Sequence, residues 1–356
     1  MISNPNVLSE FLGYDEKDLE FDKVVNDLDN CDIEYGIEVI FNHYRKHGFP
    51  HYMIREDEKH QHMRKLQRFD VDTIFKDNQI IQTMHGLRMA WTYFPFFWEV
   101  QCGNAKLTPM ETFLDDDKFK SVIRKCWNWC LHHTEGVIST FHENRLRQSL
   151  KIYSGTQAVS NFRPTAAKLI YEKFGGDTIW DMSCGWGGRL IGFLASSQKK
   201  YIGTEPSSLT FDGLEKIKKD FSYLNKSVEL YKLGSEVYVP EKESLDLCFT
   251  SPPYFDTEKY SDEDTQSYKK FPSEDKWVDG FLRKTIDNCC YGLKKNGYML
   301  INIANTPKYK FIEEQTVNIS KELGFIQEDT IQLTLSSVMG AGYKYEPIFV
   351  FRKESE

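Results

Sequence analysis

Residues Thr178 to Gly188 read TIWDMSCGWGG. Ile179, Trp180 and Met182 suit a strand that is covered on both faces, and three glycines within four positions then open the apolar run RLIGFLASS. This is the pattern of a buried strand, a tight turn and a helix. Gly185, Gly187 and Gly188 let the backbone turn sharply and let a ligand approach it. The helix start that follows presents free N–H donors to an anionic group. A glycine cluster alone is also what any tight strand-to-helix turn uses, so the flanking chain decides what it means.

Outward from this stretch, strands and helices alternate with short links. KYIGTEP is the next strand, SLTFDGLEKIKKDFSYL a helix, VELYKLG a third strand and LDLCFT a fourth. After an insert, DKWVDGFLRKTIDNCCYGLKKNG reads as a helix ended by Gly297, and YMLINIA as a fifth strand. FIEEQTVNISKELGF, IQEDTIQLTL and EPIFVFRK then give a helix and two strands, with MGAGYKYE as a hairpin link that reverses the last strand. Such alternation predicts a mostly parallel sheet with helices on both faces.

Three strand ends carry polar residues suited to one ligand. Asp181, Ser183 and the glycines follow the first strand, and Glu205 ends the second about twenty residues on, where a carboxylate accepts ribose hydroxyls. Ser235 and Glu236 follow the third strand, within reach of an adenine. Together they point to a nucleoside-containing ligand.

The fourth strand continues as LDLCFTSPPYF, residues 245–255. Pro252 and Pro253 forbid further ladder hydrogen bonds, and Pro252 keeps Ser251 out of helical dihedrals. The result is a stiff segment holding a hydroxyl, unpaired carbonyls and the Tyr254 ring at the end of a central strand. By itself a proline pair also reads as a simple strand-ending turn.

The series resembles the S-adenosylmethionine-dependent methyltransferases, and TSPPY is similar to the catalytic motif of the DNA amino-methyltransferases, which act on the exocyclic amine of cytosine or adenine. The resemblance covers about residues 160–353. NFRPTAAKLIYEKF is similar to the family's upstream cofactor segment, which implies roles for Pro164 and Thr165 at the methionine end. The resemblance further implies that Asp181, Ser183, Gly185, Gly187 and Gly188 hold the amino acid part of S-adenosylmethionine, Glu205 the ribose, and Ser235 or Glu236 the adenine. Ser251, Pro252, Pro253 and Tyr254 are the implied catalytic residues. GLKKNGYMLINIAN is also like the family's fifth-strand region.

An aromatic amine is a poor nucleophile because its lone pair is delocalised into the ring. The Ser251 hydroxyl and Pro252 carbonyl would bind its N–H groups, and Tyr254 would stack on a base taken out of its helix. None of the twelve prolines precedes a cysteine, which sets the chain apart from ring-carbon cytosine methyltransferases.

Several features depart from the family. Gly188 stands where many relatives carry threonine, and Trp186 is bulky for this turn. No long target-recognition segment lies in residues 160–353, and the insert FDTEKYSDEDTQSYKKFPSEDKW reads better as a lid over the target.

The expected fold is therefore Rossmann-like, with a mostly parallel seven-stranded sheet and an antiparallel C-terminal strand over residues 156–356, preceded by a mainly helical domain over 1–155. That first domain would carry target recognition or assembly. Its aromatic block WTYFPFFWEV, residues 91–100, reads as core. CWNWCLHH, residues 126–133, lacks a zinc spacing, so no metal is expected.

The net charge of −8 argues against a wholly basic surface but allows a local channel. The early acidic run, residues 14–30, reads as solvated helix faces. The start MISNPNVLSEF lacks a signal-peptide pattern, no apolar stretch is long enough to span a bilayer, and the eight cysteines are expected to stay reduced, all consistent with a cytoplasmic protein. The expected partner is DNA with a flipped base. The alternatives are RNA, a free nucleotide or a protein glutamine amide as methyl acceptor, or a non-catalytic nucleic-acid-binding or assembly subunit that keeps the fold.

Overall fold

The structure is a computed structural model that describes residues 31–103, 105–133, 141–338 and 342–354, together with 21, 24, 25, 28 and 138. The first residues, most of the acidic run 14–30 and the tip of the last hairpin lie outside the described residues. The chain forms two compact units, residues 1–55 with 95–159, and residues 56–94 with 160–356. The division therefore needs more than one cut in the chain, unlike the expected boundary near 155.

In the first unit, the described helices include Ile33–His47, Pro109–Leu114, Asp116–His133 and Glu143–Ile152. The first is capped by Asp32, whose carboxylate accepts from the N–H groups of Glu34 and Tyr35. Pro109–Leu114 opens with a reciprocal cap between Thr108 and Glu111. Buried Arg147 donates to the carbonyls of Pro50 and His51, each at 2.8 Å, and pairs with Glu143. Cys126 and Cys130 are buried, the Cys126 thiol at 3.0 Å from the Ser149 hydroxyl.

In the second unit, nine strands form one sheet. They are β1 (Phe75–Lys76), β2 (Gln79–Ile80), β3 (Thr178–Asp181), β4 (Lys200–Thr204), β5 (Ser227–Tyr231), β6 (Leu245–Thr250), β7 (Leu293–Asn302), β8 (Phe325–Val338) and β9 (Gly342–Lys353). Their spatial order is β1-β2-β8-β9-β7-β6-β3-β4-β5. β3 to β7 are parallel, and β9 runs antiparallel to both β7 and β8. The fold is thus a Rossmann-like α/β sheet with one reversed strand near the C-terminus. Its seven strands from β3 onward match the expected architecture, and the short β1–β2 ribbon raises the count to nine.

The ribbon explains why residues 56–94 belong to this unit. β2 pairs in parallel with β8, and the Gln332 N–H donates to the Asn78 carbonyl at 3.0 Å. The ammonium of Lys168, on the helix Pro164–Phe174, donates to the carbonyls of Leu66, Gln67 and Phe69 at 2.8–3.1 Å. It thereby satisfies the C-terminal end of the helix Glu56–Arg68. Phe94 is fully buried against Gly213, where a Cβ would lie 2.4 Å from its ring, and close to Gly187, where a Cβ would lie 3.1 Å from it.

The aromatic block is core, as expected, but its residues are shared out. Trp91, Tyr93 and Phe94 are buried in this unit, and Phe97 and Trp98 in the other, where Tyr52 stacks on both.

The centre of the sheet holds Ile179, Trp180, Leu247, Cys248 and Phe249, each with no exposed surface. Burying side chains of this size stabilises the fold by about 1.5–3 kcal/mol apiece. The helix Gly188–Ala195 packs so closely on Pro164–Phe174 that a Cβ at Gly192 would lie 2.6 Å from the Pro164 carbonyl. The helix before β7 ends at Gly292 rather than Gly297. Lys294–Gly297 instead loops out of register between Leu293, opposite Leu245, and Tyr298, opposite Leu247, and Asn296 takes a left-handed φ of 61° there. Among the described residues, no helix is long and apolar enough to cross a membrane, and no group of three metal-ligating side chains gathers.

Candidate active site

β3 ends in Asp181, and its side chain is fully buried. Oδ2 accepts from Arg189 Nε at 2.9 Å and from the Tyr201 hydroxyl at 2.7 Å. Oδ1 accepts from the Ser183 N–H and the Thr250 hydroxyl, both at 3.3 Å. Four donors occupy the carboxylate, so Asp181 fixes the glycine turn from beneath instead of offering a free oxygen to a ligand. This differs from its expected part in holding the amino acid end. Arg189 completes the arrangement by donating Nη2 to the Ser183 carbonyl. The pair is buried, and removing one partner would strand the other charge.

The turn above it uses left-handed backbone at Gly185, φ 54°, and Gly187, φ 70°. Beside Gly185 the space is open: a Cβ there would have the Ser183 carbonyl at 3.9 Å as its nearest neighbour. Gly188 is crowded instead. A Cβ there would lie 1.9 Å from the Phe162 carbonyl and 2.6 Å from Asn161 Oδ1. Asn161 donates to the Trp186 carbonyl at 2.8 Å, so the segment leading into Pro164 lies across the turn and occupies the space a threonine would need. The Trp186 ring has its own setting, packed at centroid distances of 5.7–5.9 Å from Trp91, Phe94 and Tyr260.

Glu205 follows β4 and is buried. Oε2 accepts from the Gly185 N–H at 3.0 Å and Oε1 from the Ser207 N–H at 2.9 Å. Burial pushes its pKa up to about 7, against the pull of those two N–H donors. Ser235 is buried, with its hydroxyl 2.8 Å from that of Thr285 and its carbonyl accepting from Asn288. Glu236 pairs through Oε1 with Lys270, while Oε2 is buried without a hydrogen-bond partner.

Pro164 is the first residue of its helix, and Thr165 is fully buried with its hydroxyl 2.9 Å from that of Thr83. The structure thus joins Gly185 directly to Glu205, and keeps Thr165 engaged inside the protein.

β6 carries the chain to Ser251-Pro252-Pro253-Tyr254, which has no regular secondary structure. The Thr250 hydroxyl, besides reaching Asp181, lies 3.5 Å from the Ser183 carbonyl, so the motif starts one residue from a contact with the glycine turn. Tyr254 is half-buried. Its hydroxyl lies 3.4 Å from Glu346 Oε2 and 3.5 Å from the Asn302 carbonyl, and Phe255 follows with a left-handed φ of 55°.

The insert behaves differently from the expected lid over the target. Glu263 accepts from the Ser208 N–H and hydroxyl, both at 2.9 Å, and Thr265 donates to the Pro206 carbonyl. With Tyr260 on Trp186 and Lys270 on Glu236, the insert lies along the Glu205–Glu236 side.

Sequence reasoning missed Arg189, Tyr201, Asn302, Glu263 and Glu346. Arg189 did leave a signal, as one cation inside the apolar run GGRLIGFLA. Glu346, just before PIFVF, left little.

Residues 245–356 match the family described as DNA methylase. Similar solved structures include a methyltransferase of Methanosarcina mazei (12% identity, 52% of this chain and 98% of that one, TM-score 0.39) and an N-methyltransferase of Bradyrhizobium japonicum (12%, 54% and 94%, 0.39). A third is the magnesium protoporphyrin IX methyltransferase of Synechocystis with bound S-adenosylmethionine (12%, 53% and 76%, 0.37). No curated protein matches the chain. The sheet order, the glycine turn and the Ser-Pro-Pro-Tyr strand end are the arrangement expected of the Rossmann-like methyltransferase fold. The match covers the part of the chain that holds the Ser-Pro-Pro-Tyr segment and the last three strands.

The residues present fit the expected cofactor, S-adenosylmethionine. The open space at Gly185 admits a ligand against the backbone, and Glu205 retains lone pairs for ribose hydroxyls. The unpartnered Glu236 Oε2 is an acceptor waiting for an N–H or O–H donor.

Proposed function

We propose that this protein methylates the exocyclic amine of adenine or cytosine in DNA, on a base taken out of its duplex. The observation that carries the reading is the reach of Thr250 to Asp181 and Ser183, which anchors the Ser-Pro-Pro-Tyr acceptors beside the glycine turn. S-adenosylmethionine, when bound, supplies an electrophilic methyl group.

The protein's own residues do the rest. The Ser251 hydroxyl and the Pro252 carbonyl accept the amine N–H groups, draw the nitrogen toward a tetrahedral form and relieve its developing positive charge. Two prolines hold those acceptors rigid, so little reorganisation is needed when the charge appears. Tyr254 offers its ring face to the base. Gly185, Glu205 and Glu236 bind the cofactor, and the Asp181–Arg189 pair keeps the turn in shape.

The test is kinetic. Ser251→Ala should lower turnover by about 100-fold while cofactor affinity, measured by calorimetry, stays near that of the wild type. Tyr254→Ala should in addition weaken DNA binding by about 1–3 kcal/mol, the worth of one stacked base. Folded variants that both keep wild-type turnover would refute the assignment of this motif to catalysis.

A further inference from the structure

Methylation of a neutral amine leaves a surplus proton on nitrogen, and the acceptors that activate the amine must pass it on. Around Tyr254 the structure holds a route. The Ser251 side chain lies three residues before Tyr254 in the same stiff segment, close enough to favour the ionised form of its hydroxyl. That hydroxyl lies 3.4 Å from Glu346 Oε2, on β9 opposite Leu333 of β8.

The groups acting on the Glu346 carboxyl are Tyr254, Asn302 and Glu313, none of them a cation. Burial raises its pKa above the ordinary carboxylate range, and the Glu313 charge adds to the effect, while hydrogen bonds from Tyr254 and Asn302 oppose it. Tyr254 is itself held well above the ordinary tyrosine value, by burial first and by the Glu346 charge second, with Glu258 contributing. Asn302 donates Nδ2 to the Pro347 carbonyl at 3.0 Å, which fixes the chain beside Glu346.

We propose that Ser251, Tyr254 and Glu346 form a proton exit for the reacting amine, with Glu346 as the terminal acceptor. The proposal rests on the amine-methylation reading above. One proton leaves the methylated nitrogen for Ser251 Oγ, the serine proton moves to Tyr254 Oη, and the tyrosine proton moves to Glu346 Oε2. The product is a neutral methylamine and a carboxylic acid, which returns its proton to water from the partly exposed Glu346 side chain. Glu346 acts through Tyr254, and without touching the base.

Two measurements test this. In pH–rate profiles on duplex DNA, wild-type kcat should fall as pH drops through the pKa of Glu346. Glu346→Gln should lose that acidic limb and run roughly tenfold or more slower on the plateau, with KM for DNA nearly unchanged. Tyr254→Phe should behave alike, since it keeps the ring and breaks the route. An unaltered profile in Glu346→Gln would overturn the proposal.

The second measurement needs no turnover. In protein labelled with 13C at glutamate carboxyls, the resonance absent from Glu346→Gln should titrate above the usual glutamate range and move in Tyr254→Phe. A Glu346 resonance that titrates like an exposed glutamate, or ignores Tyr254→Phe, would also overturn the proposal. A wild-type protein that leaves DNA amines unmethylated would sink the proposed function instead, and the resonance would still decide the route.

Discussion

Glu205, proposed to hold the ribose, would tie cofactor binding to pH. Its folded-state pKa, near 7, lies above the ordinary glutamate value of 4.5. For the free protein, the contribution of this group to stability is present below about pH 4.5 and is lost as pH rises through about 7. On the proposed binding, cofactor affinity has the opposite slope, because ribose hydroxyls would donate to the anion. S-adenosylmethionine should bind about tenfold more weakly at pH 6 than at pH 7.5, and Glu205→Gln should flatten that dependence, both read by calorimetry. Equal affinity at the two pH values would remove Glu205 from the ribose site.

The positions of the glycines and Glu205 at strand ends were legible in the sequence because their constraints are local to one strand end each. Asp181 was legible as a position but not as a role, since its partners Tyr201 and Thr250 arrive from two other strands. Glu346 meets Tyr254 across 92 residues, and no spacing rule reaches that far.

Among the elements, the helix Glu56–Arg68 is the least expected member of the catalytic unit. Its C-terminal carbonyls and the turn after it depend on the ammonium of Lys168. Lys168→Met keeps the length of the side chain and removes the donor, so it should cost on the order of 1–3 kcal/mol in urea denaturation. A change within about 0.5 kcal/mol would mean that the tie contributes no more than an ordinary surface residue.

β6 was readable to its ends because prolines close it on one side and LDLCFT has a clear apolar run. The β1–β2 ribbon was not, since two strands of two residues carry no periodicity and exist only through pairing with β8. KKNG misled for a physical reason: a lysine-rich end followed by glycine is a helix stop, yet here the chain has already entered β7 at Leu293 and loops out of it.

At the scale of the whole molecule, the proposed chemistry falls in the unit of residues 56–94 and 160–356, and the unit of residues 1–55 with 95–159 is proposed to serve target recognition or assembly. A net charge of −8 argues against a broadly basic DNA-coating surface. The most direct measurement is the position of the transferred methyl group. The protein is incubated with methyl-labelled S-adenosylmethionine and with separate pools of duplex DNA, RNA and protein, and the labelled DNA is digested to nucleosides and resolved. Label on the exocyclic nitrogen of deoxyadenosine or deoxycytidine, lost in Ser251→Ala, is the predicted result. Label on the cytosine ring carbon, or DNA left unlabelled while RNA or protein takes the methyl group, would contradict it.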